Sequence, residues 1–147
     1  MIIAQGGRFG GWAVYAKDGH AKFTYNVLGI HEFPTAAGTP IPAGTHQVRM
    51  EFAYDGGGLA KGGDVTLYYD GAAVGSGRVE MTQPMVFSAD ETTDIGHETG
   101  TTVSPDYTAH GSRFTGKINW VQIDLGADNH DHFIDPDERV RIAMARQ

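Results

Sequence analysis

The run Trp12-Ala-Val-Tyr-Ala-Lys17, Asp18-Gly19, His20-Ala-Lys-Phe-Thr-Tyr-Asn-Val27 decides the fold class. Ala21, Phe23, Tyr25 and Val27 alternate with His20, Lys22, Thr24 and Asn26, a period of two that suits a pleated strand. Asp-Gly between two such runs predicts a tight hairpin loop, because both turn residues must adopt positive φ.

The same logic extends outward. At 45–55, Val48, Met50, Phe52 and Tyr54 alternate with Gln47, Arg49, Glu51 and Ala53, so one face is buried and the other wet. A glycine-rich connection at 55–63 leads to a strand at 64–70. Asp70-Gly71 then repeats the hairpin signal before an extended run that ends at Met81. A further strand is predicted at 114–125, and the polar segment 88–112 before it is too long to be an idle turn. The 21 glycines are dispersed and come with aromatics, so they punctuate short strands rather than form low-complexity tracts.

The last residues change character. Asp135-Pro136-Asp137-Glu138 sets a carboxylate at a candidate N-cap, Pro at the first helical position and Glu at the third. A short helix is expected to follow, docking Val140, Ala143 and Met144 on the sheets. The chain thus divides into an all-β domain at 1–128, an antiparallel β-sandwich, and a polar linker with a C-terminal helix at 129–147.

With 147 residues the chain has the common size of one domain and buries roughly two-thirds of its unfolded surface without staples. Eleven Lys and Arg against 18 Asp and Glu give a net charge of -7, which repels phosphate backbones and anionic lipid. Nucleic acid is therefore not expected as a partner. The absence of Cys excludes disulfides, thiolate metal sites and a cysteine nucleophile. No segment reaches the roughly 18 apolar residues of a membrane span, and 1–7 lacks the pattern of a secretory leader.

Gly6-Gly7-Arg8-Phe9-Gly10-Gly11-Trp12, with Tyr15-Ala-Lys-Asp-Gly19 and Phe23-Thr-Tyr-Asn26, resembles the start of the C-terminal β-domain of bacterial arylsulfatases. The resemblance continues in order through Pro42-Ala-Gly-Thr-His-Gln-Val-Arg-Met-Glu-Phe52, Tyr54-Asp-Gly-Gly-Gly-Leu-Ala-Lys-Gly-Gly63, Val65-Thr-Leu-Tyr-Tyr-Asp-Gly71 and Val74-Gly-Ser-Gly-Arg-Val79. Asp90-Glu-Thr-Thr-Asp-Ile-Gly-His-Glu-Thr-Gly100, Val103-Ser104, Asp106-Tyr107, Phe114-Thr-Gly-Lys-Ile118 and Ala143-Met-Ala-Arg-Gln147 complete it, covering nearly the whole chain. The hairpin pattern is also similar to concanavalin-like and laminin-G-like sandwiches, which implies a jelly-roll architecture by analogy. Bacterial origin, in the cytoplasm or the periplasm, is what the resemblance implies. Such sulfatases take their formylglycine nucleophile from a Cys/Ser-x-Pro-x-Arg motif, which this sequence lacks, so sulfate-ester hydrolysis by this chain alone has no chemical basis.

Three groups of residues carry candidate binding chemistry. Asp90, Glu91, Asp94 and Glu98, interspersed with Gly96 and Gly100, would suit a calcium ion, which wants several oxygen ligands on a curled loop. The competing and preferred reading has Asp94 and Glu98 capping turns by accepting backbone amides, with left-handed glycines, and the loop packing on a neighbouring catalytic domain. His130 and His132, with His97 and His110 elsewhere, would offer nitrogen ligands to a transition metal only if the fold gathered them. Among the aromatics, Trp12 and Tyr54 fall on core parity, whereas Tyr15 and Tyr68 fall on the wetter parity and are the candidates for stacking on a glycan. Gly6 to Trp12 has the look of a phosphate loop but is followed by a strand, not the helix such a loop requires.

These readings order the functions. A non-catalytic accessory domain packing on a sulfatase catalytic domain, or on a second copy of itself, predicts an exposed apolar, aromatic-bearing face. A carbohydrate-binding module predicts exposed aromatics among polar groups instead. A stand-alone enzyme would require a pocket where titratable residues converge.

Overall fold

The computed structural model describes residues 1–84, 86–87 and 91–126. The chain is all-β over these residues, with eight strands in two antiparallel sheets and no helix. β1 (Ile3–Gly7), β2 (Gly10–Lys17), β3 (His20–Val27) and β4 (His31–Ala36) form a meander that β8 (Thr93–Ile95) joins beside β1, in the order β4-β3-β2-β1-β8. β5 (Val48–Tyr54), β6 (Gly63–Tyr69) and β7 (Ala72–Val79) form the second sheet in chain order.

The hairpins sit where their turn residues place them. Asp18 and Gly19 have φ of 52° and 77°, Asp70 and Gly71 of 48° and 85°, the left-handed pair that matches the twist of the flanking strands. Register follows from alternation. Val14 faces Phe23 across β2 and β3, and Met50 faces Leu67 across β5 and β6. Ile3, Val14, Phe23 and Tyr25 of the larger sheet meet Val65, Leu67, Tyr69 and Val79 in one core. Phe23 and Leu67 are buried completely, each worth about 1.5–3 kcal/mol of burial. Tyr69 also bridges the sheets, its Oη accepting from Ala21 N at 2.9 Å and donating to the Thr39 carbonyl at 3.2 Å.

β1, β4 and β8 lie where no strand is predicted from the sequence, and one predicted strand joins no ladder among the described residues. β4 contains Pro34, which an edge strand tolerates because one side of its backbone needs no ladder donor. β8 arises inside the polar segment and was not anticipated. The predicted strand at 114–125 joins no ladder among the described residues. Phe114 N donates to the Gly96 carbonyl at 2.8 Å and Val121 packs on the core, but the run continues without strand pairing. Apolar residues at 118, 120, 121, 123 and 125 change phase between Trp120 and Val121, so no single face can lie on the core throughout. The expected polar linker and helix at 129–147 lie outside the described residues.

The larger sheet is covered on both sides. Its other face presents Ala4, Ala13, Tyr15, Thr24 and Asn26, and residues 97–112 lie across it, forming a second small core of Met1, Ala4, Ala13, Tyr15 and Val103 flanked by Tyr107.

Candidate functional site

The acidic segment belongs to this covering loop. The Glu91 carboxylate accepts from Thr101 N at 2.6 Å and Thr101 Oγ1 at 2.7 Å, and Thr101 Oγ1 accepts from Arg8 N at 2.9 Å. A Cβ on Gly7 or on Gly100 would collide with that carboxylate, which gives a physical reason for bare backbone at both positions. The string from Gly6 to Trp12 is thus the β1–β2 hairpin clasped by Glu91 and Thr101, not a phosphate cradle.

Asp94 Oδ2 accepts from Thr99 N at 2.9 Å, and Gly96 between them has φ of 76°. Glu98 is 1% exposed; its Oε1 accepts from Val103 N at 3.2 Å, while its own N donates to the buried Ser112 Oγ at 3.0 Å. Asp94 and Glu98 therefore cap their own turns, as the preferred sequence reading has it, but the loop packs on this chain's own larger sheet. Of the four candidate calcium ligands, Asp90 lies outside the described residues. Glu91, Asp94 and Glu98 serve three different amides, and among the described residues no three His, Asp or Glu side chains gather as a metal would require. Glu91 and Asp94 do border a polar cavity of about 130 Å³, with Gly6, Thr92 and Thr99–Thr101 around it.

Beyond Glu98 the loop carries a buried polar pair. Glu98 Oε2 and Tyr107 Oη are both shut off from water, without a hydrogen bond of good geometry, and each acts on the other's ionisation. Burial holds the Glu98 carboxyl above its ordinary range, with the charge of Asp94 adding to the effect and the Val103 amide opposing it. Burial and the neighbouring Glu98 push the Tyr107 phenol up.

Tyr107 stacks edge-on against Tyr15 at 5.0 Å. Tyr15, expected to be an exposed stacking residue, is 2% exposed. Its parity is opposite to the main core, but the covering loop buries that face as well, so alternation does not separate core from solvent in β2. Tyr15 Oη donates to Asp106 Oδ2 at 2.8 Å, Lys22 Nζ approaches the same oxygen at 2.9 Å, and Lys17 Nζ donates to the Asp106 carbonyl at 2.6 Å. Lys22 and Tyr15, with the charge of Lys17, hold the Asp106 carboxyl down at about 2. Asn26 completes the attachment, its Nδ2 donating to the carbonyls of Val103 and Arg8, both at 3.0 Å. These contacts hold the loop to the sheet; no nucleophile is set beside a base in them.

Tyr68 lies on the outer face of the β5-β6-β7 sheet. The Arg49 guanidinium sits 4.0 Å over its ring and its Oη donates to Glu51 Oε2 at 2.7 Å, with Arg49 paired to Glu51. Register puts Arg49 opposite Tyr68 and Glu51 opposite Thr66, a polar cross-strand patch with one aromatic. Trp12 is half-buried against the core as expected, whereas Tyr54, read as core, is 41% exposed at the end of β5. His130 and His132 lie outside the described residues, and His97 and His110 take part in no ligand cluster among them.

No family model, no curated protein and no solved structure matches this chain. Among the described residues, no helix is long and apolar enough to cross a membrane.

Asp106, Tyr107 and Ser112 are the residues that the sequence reading missed as parts of this region. The signal available for them was the unusual length of the polar segment 88–112.

Proposed function

We propose that this chain is a non-catalytic accessory domain that packs against a catalytic domain of the arylsulfatase kind. One observation carries the proposal: Trp120, Ile123 and Leu125, close together in the chain just after Val121 enters the core, are 62%, 56% and 89% exposed. Large apolar side chains concentrated in one exposed stretch cost solubility and stability unless a partner covers them, and a Trp among them is the commonest anchor of a protein interface. The ordered resemblance to arylsulfatase C-terminal domains supplies the partner class, and the missing nucleophile motif supports a non-catalytic role. The likeness of the hairpin pattern to concanavalin-like and laminin-G-like sandwiches supports a jelly-roll sandwich as the finer description of the two sheets. A second reading, a glycan-binding module, is favoured by the Tyr68, Arg49, Glu51 and Thr66 patch.

The test is co-expression with a sulfatase catalytic domain encoded in the same reading frame or its immediate neighbourhood. Co-purification is expected, and Trp120→Ser with Leu125→Ser should weaken it at least about tenfold, given that a buried interface Trp is commonly worth 2 kcal/mol or more. Unchanged co-purification of the double variant, with its circular dichroism intact, would refute this docking surface. Saturable binding on an array of sulfated and neutral glycans, lost in Tyr68→Ala, would establish the second reading instead.

A further inference from the structure

Beside the end of β8 lies an open cleft of about 280 Å³, lined by Ile95, Gly96, His97, Arg113, Phe114, Gly116 and Ile118. The chain builds it at a bend. Gly96 has φ of 76°, Phe114 N closes on its carbonyl at 2.8 Å, and Ile118 stands 3.5 Å from where a Cβ on Gly96 would be. Strand alternation puts Asp94 opposite Ala4 and Ile95 opposite Ile3, so the acidic side chain of β8 points to the covered face, and among the described residues no carboxylate lines the cleft.

What distinguishes this place is an uncommitted arginine set among apolar walls. Net charge is -7, and Lys17, Lys22, Arg49 and Arg78 are each paired with a carboxylate; Arg8, Lys61, Lys117 and Arg113 are in no ion pair among the described residues, and of these Arg113 alone is in the cleft lining. Arg113 has no carboxylate or carbonyl partner among the described residues, nor has His97, and both line the same cleft. Arg presents a planar fork of donors that matches a carboxylate or sulfonate bidentately. Ile95, Phe114 and Ile118 give the apolar walls that a small hydrocarbon or aromatic body would cover, so the cleft combines apolar lining with a few polar groups, as ligand sites do. A bare inorganic anion would use Arg113 and leave these walls wet.

We propose that the Arg113–His97 cleft binds a small organic anion, a carboxylate or sulfonate on a short apolar or aromatic body. The Arg113 guanidinium takes the anionic head, His97 adds a second donor, and the body lies against Phe114 and Ile118. The proposal does not depend on the docking stretch at 120–125.

Phenylacetate, phenylacetamide and inorganic sulfate serve as probes, titrated into the full chain and followed by amide NMR shifts. Phenylacetate should shift Ile95 to His97 and Phe114 to Ile118 saturably, with a dissociation constant of about 1 mM or lower. Arg113→Gln, at an exposed position, should weaken that binding about tenfold or more, and the neutral amide should not saturate. An absence of saturable shifts, binding unaffected by Arg113→Gln, or sulfate binding as tightly as phenylacetate would each overturn the assignment.

Discussion

Replacing Glu98 by Gln should stabilise the protein at neutral pH and have little effect in acid. Glu98 is buried at 1% exposure, one oxygen holds Val103 N, and the other faces Tyr107 without a well-formed hydrogen bond. Its carboxyl is held above the ordinary value of 4.5, so the folded protein binds this proton more tightly than the unfolded chain does. Stability from the protonated form is therefore fully present below about 4.5 and is lost as pH rises through the raised value. Gln keeps the acceptor for Val103 and removes the charge. A buried polar group left short of partners costs about 1–3 kcal/mol, so the gain at pH 8 is expected to be about 1–2 kcal/mol. For a urea slope of about 2 kcal/mol per molar, the midpoint should rise by roughly 0.5–1 M. Urea unfolding followed by Trp fluorescence from pH 4 to 8 checks it. Wild type and Glu98→Gln should converge at the acid end and separate with rising pH. Curves that stay parallel across the range, or a variant less stable at pH 8, would refute the buried-carboxylate reasoning. Glu98→Ala separates charge from support, since it removes the Val103 acceptor as well as the charge: it should be destabilising by about 2 kcal/mol at the acid end, with the deficit narrowing as pH rises.

Two further perturbations probe the same scaffold. Asp106→Asn should cost about 1 kcal/mol at pH 7, because a shift to about 2 is worth roughly 2.5 kcal/mol in full but the carboxylate is 35% exposed and screened. This stability is present above the ordinary 3.8 and is lost as pH falls through about 2, so urea midpoints of the two proteins should draw together near pH 2; a gap that persists there would contradict the ion-pair account. Gly11→Ala should cost more than about 3 kcal/mol or prevent folding, since its Cβ would strike the Gln5 carbonyl on β1 at φ of 154°. Gly57→Ala, in open space at φ of 73°, should cost only about 1 kcal/mol, and thermal midpoints in the reverse order would show that backbone approach does not govern the glycine positions.

Some features of this molecule can be read locally. The two Asp-Gly turns and their alternating strands are legible because a hairpin stores its instructions within about fifteen residues: two positive φ values and a period of two. The capping role of Asp94 and Glu98 is legible for the same reason, because each acceptor meets an amide only five residues away. Tyr15 fails that kind of reading. Its exposure depends on residues 104–107, about ninety positions later, crossing the back of β2, and nothing in the local pattern of 12–17 encodes that cover.

The polar segment resolves the contradiction between its composition and its place in the fold. Residues 97–112 look like solvated loop because they are rich in Ser, Thr, Gly and His, yet they cover a sheet face made of Ala4, Ala13, Thr24 and Asn26. Small and polar side chains on that face leave little apolar area to bury, so a conventional hydrophobic strand or helix would gain little by packing there. Hydrogen bonds supply the attachment instead: Asn26 to Val103, Tyr15 to Asp106, and Lys17 to the Asp106 carbonyl. A loop fastened this way is sensitive to the ionisation of its few buried acids, which is why Glu98, Tyr107 and Asp106 depart from ordinary titration. Those departures have a structural origin, and Arg113 and His97, which line the cleft beside the end of β8, take no part in that fastening.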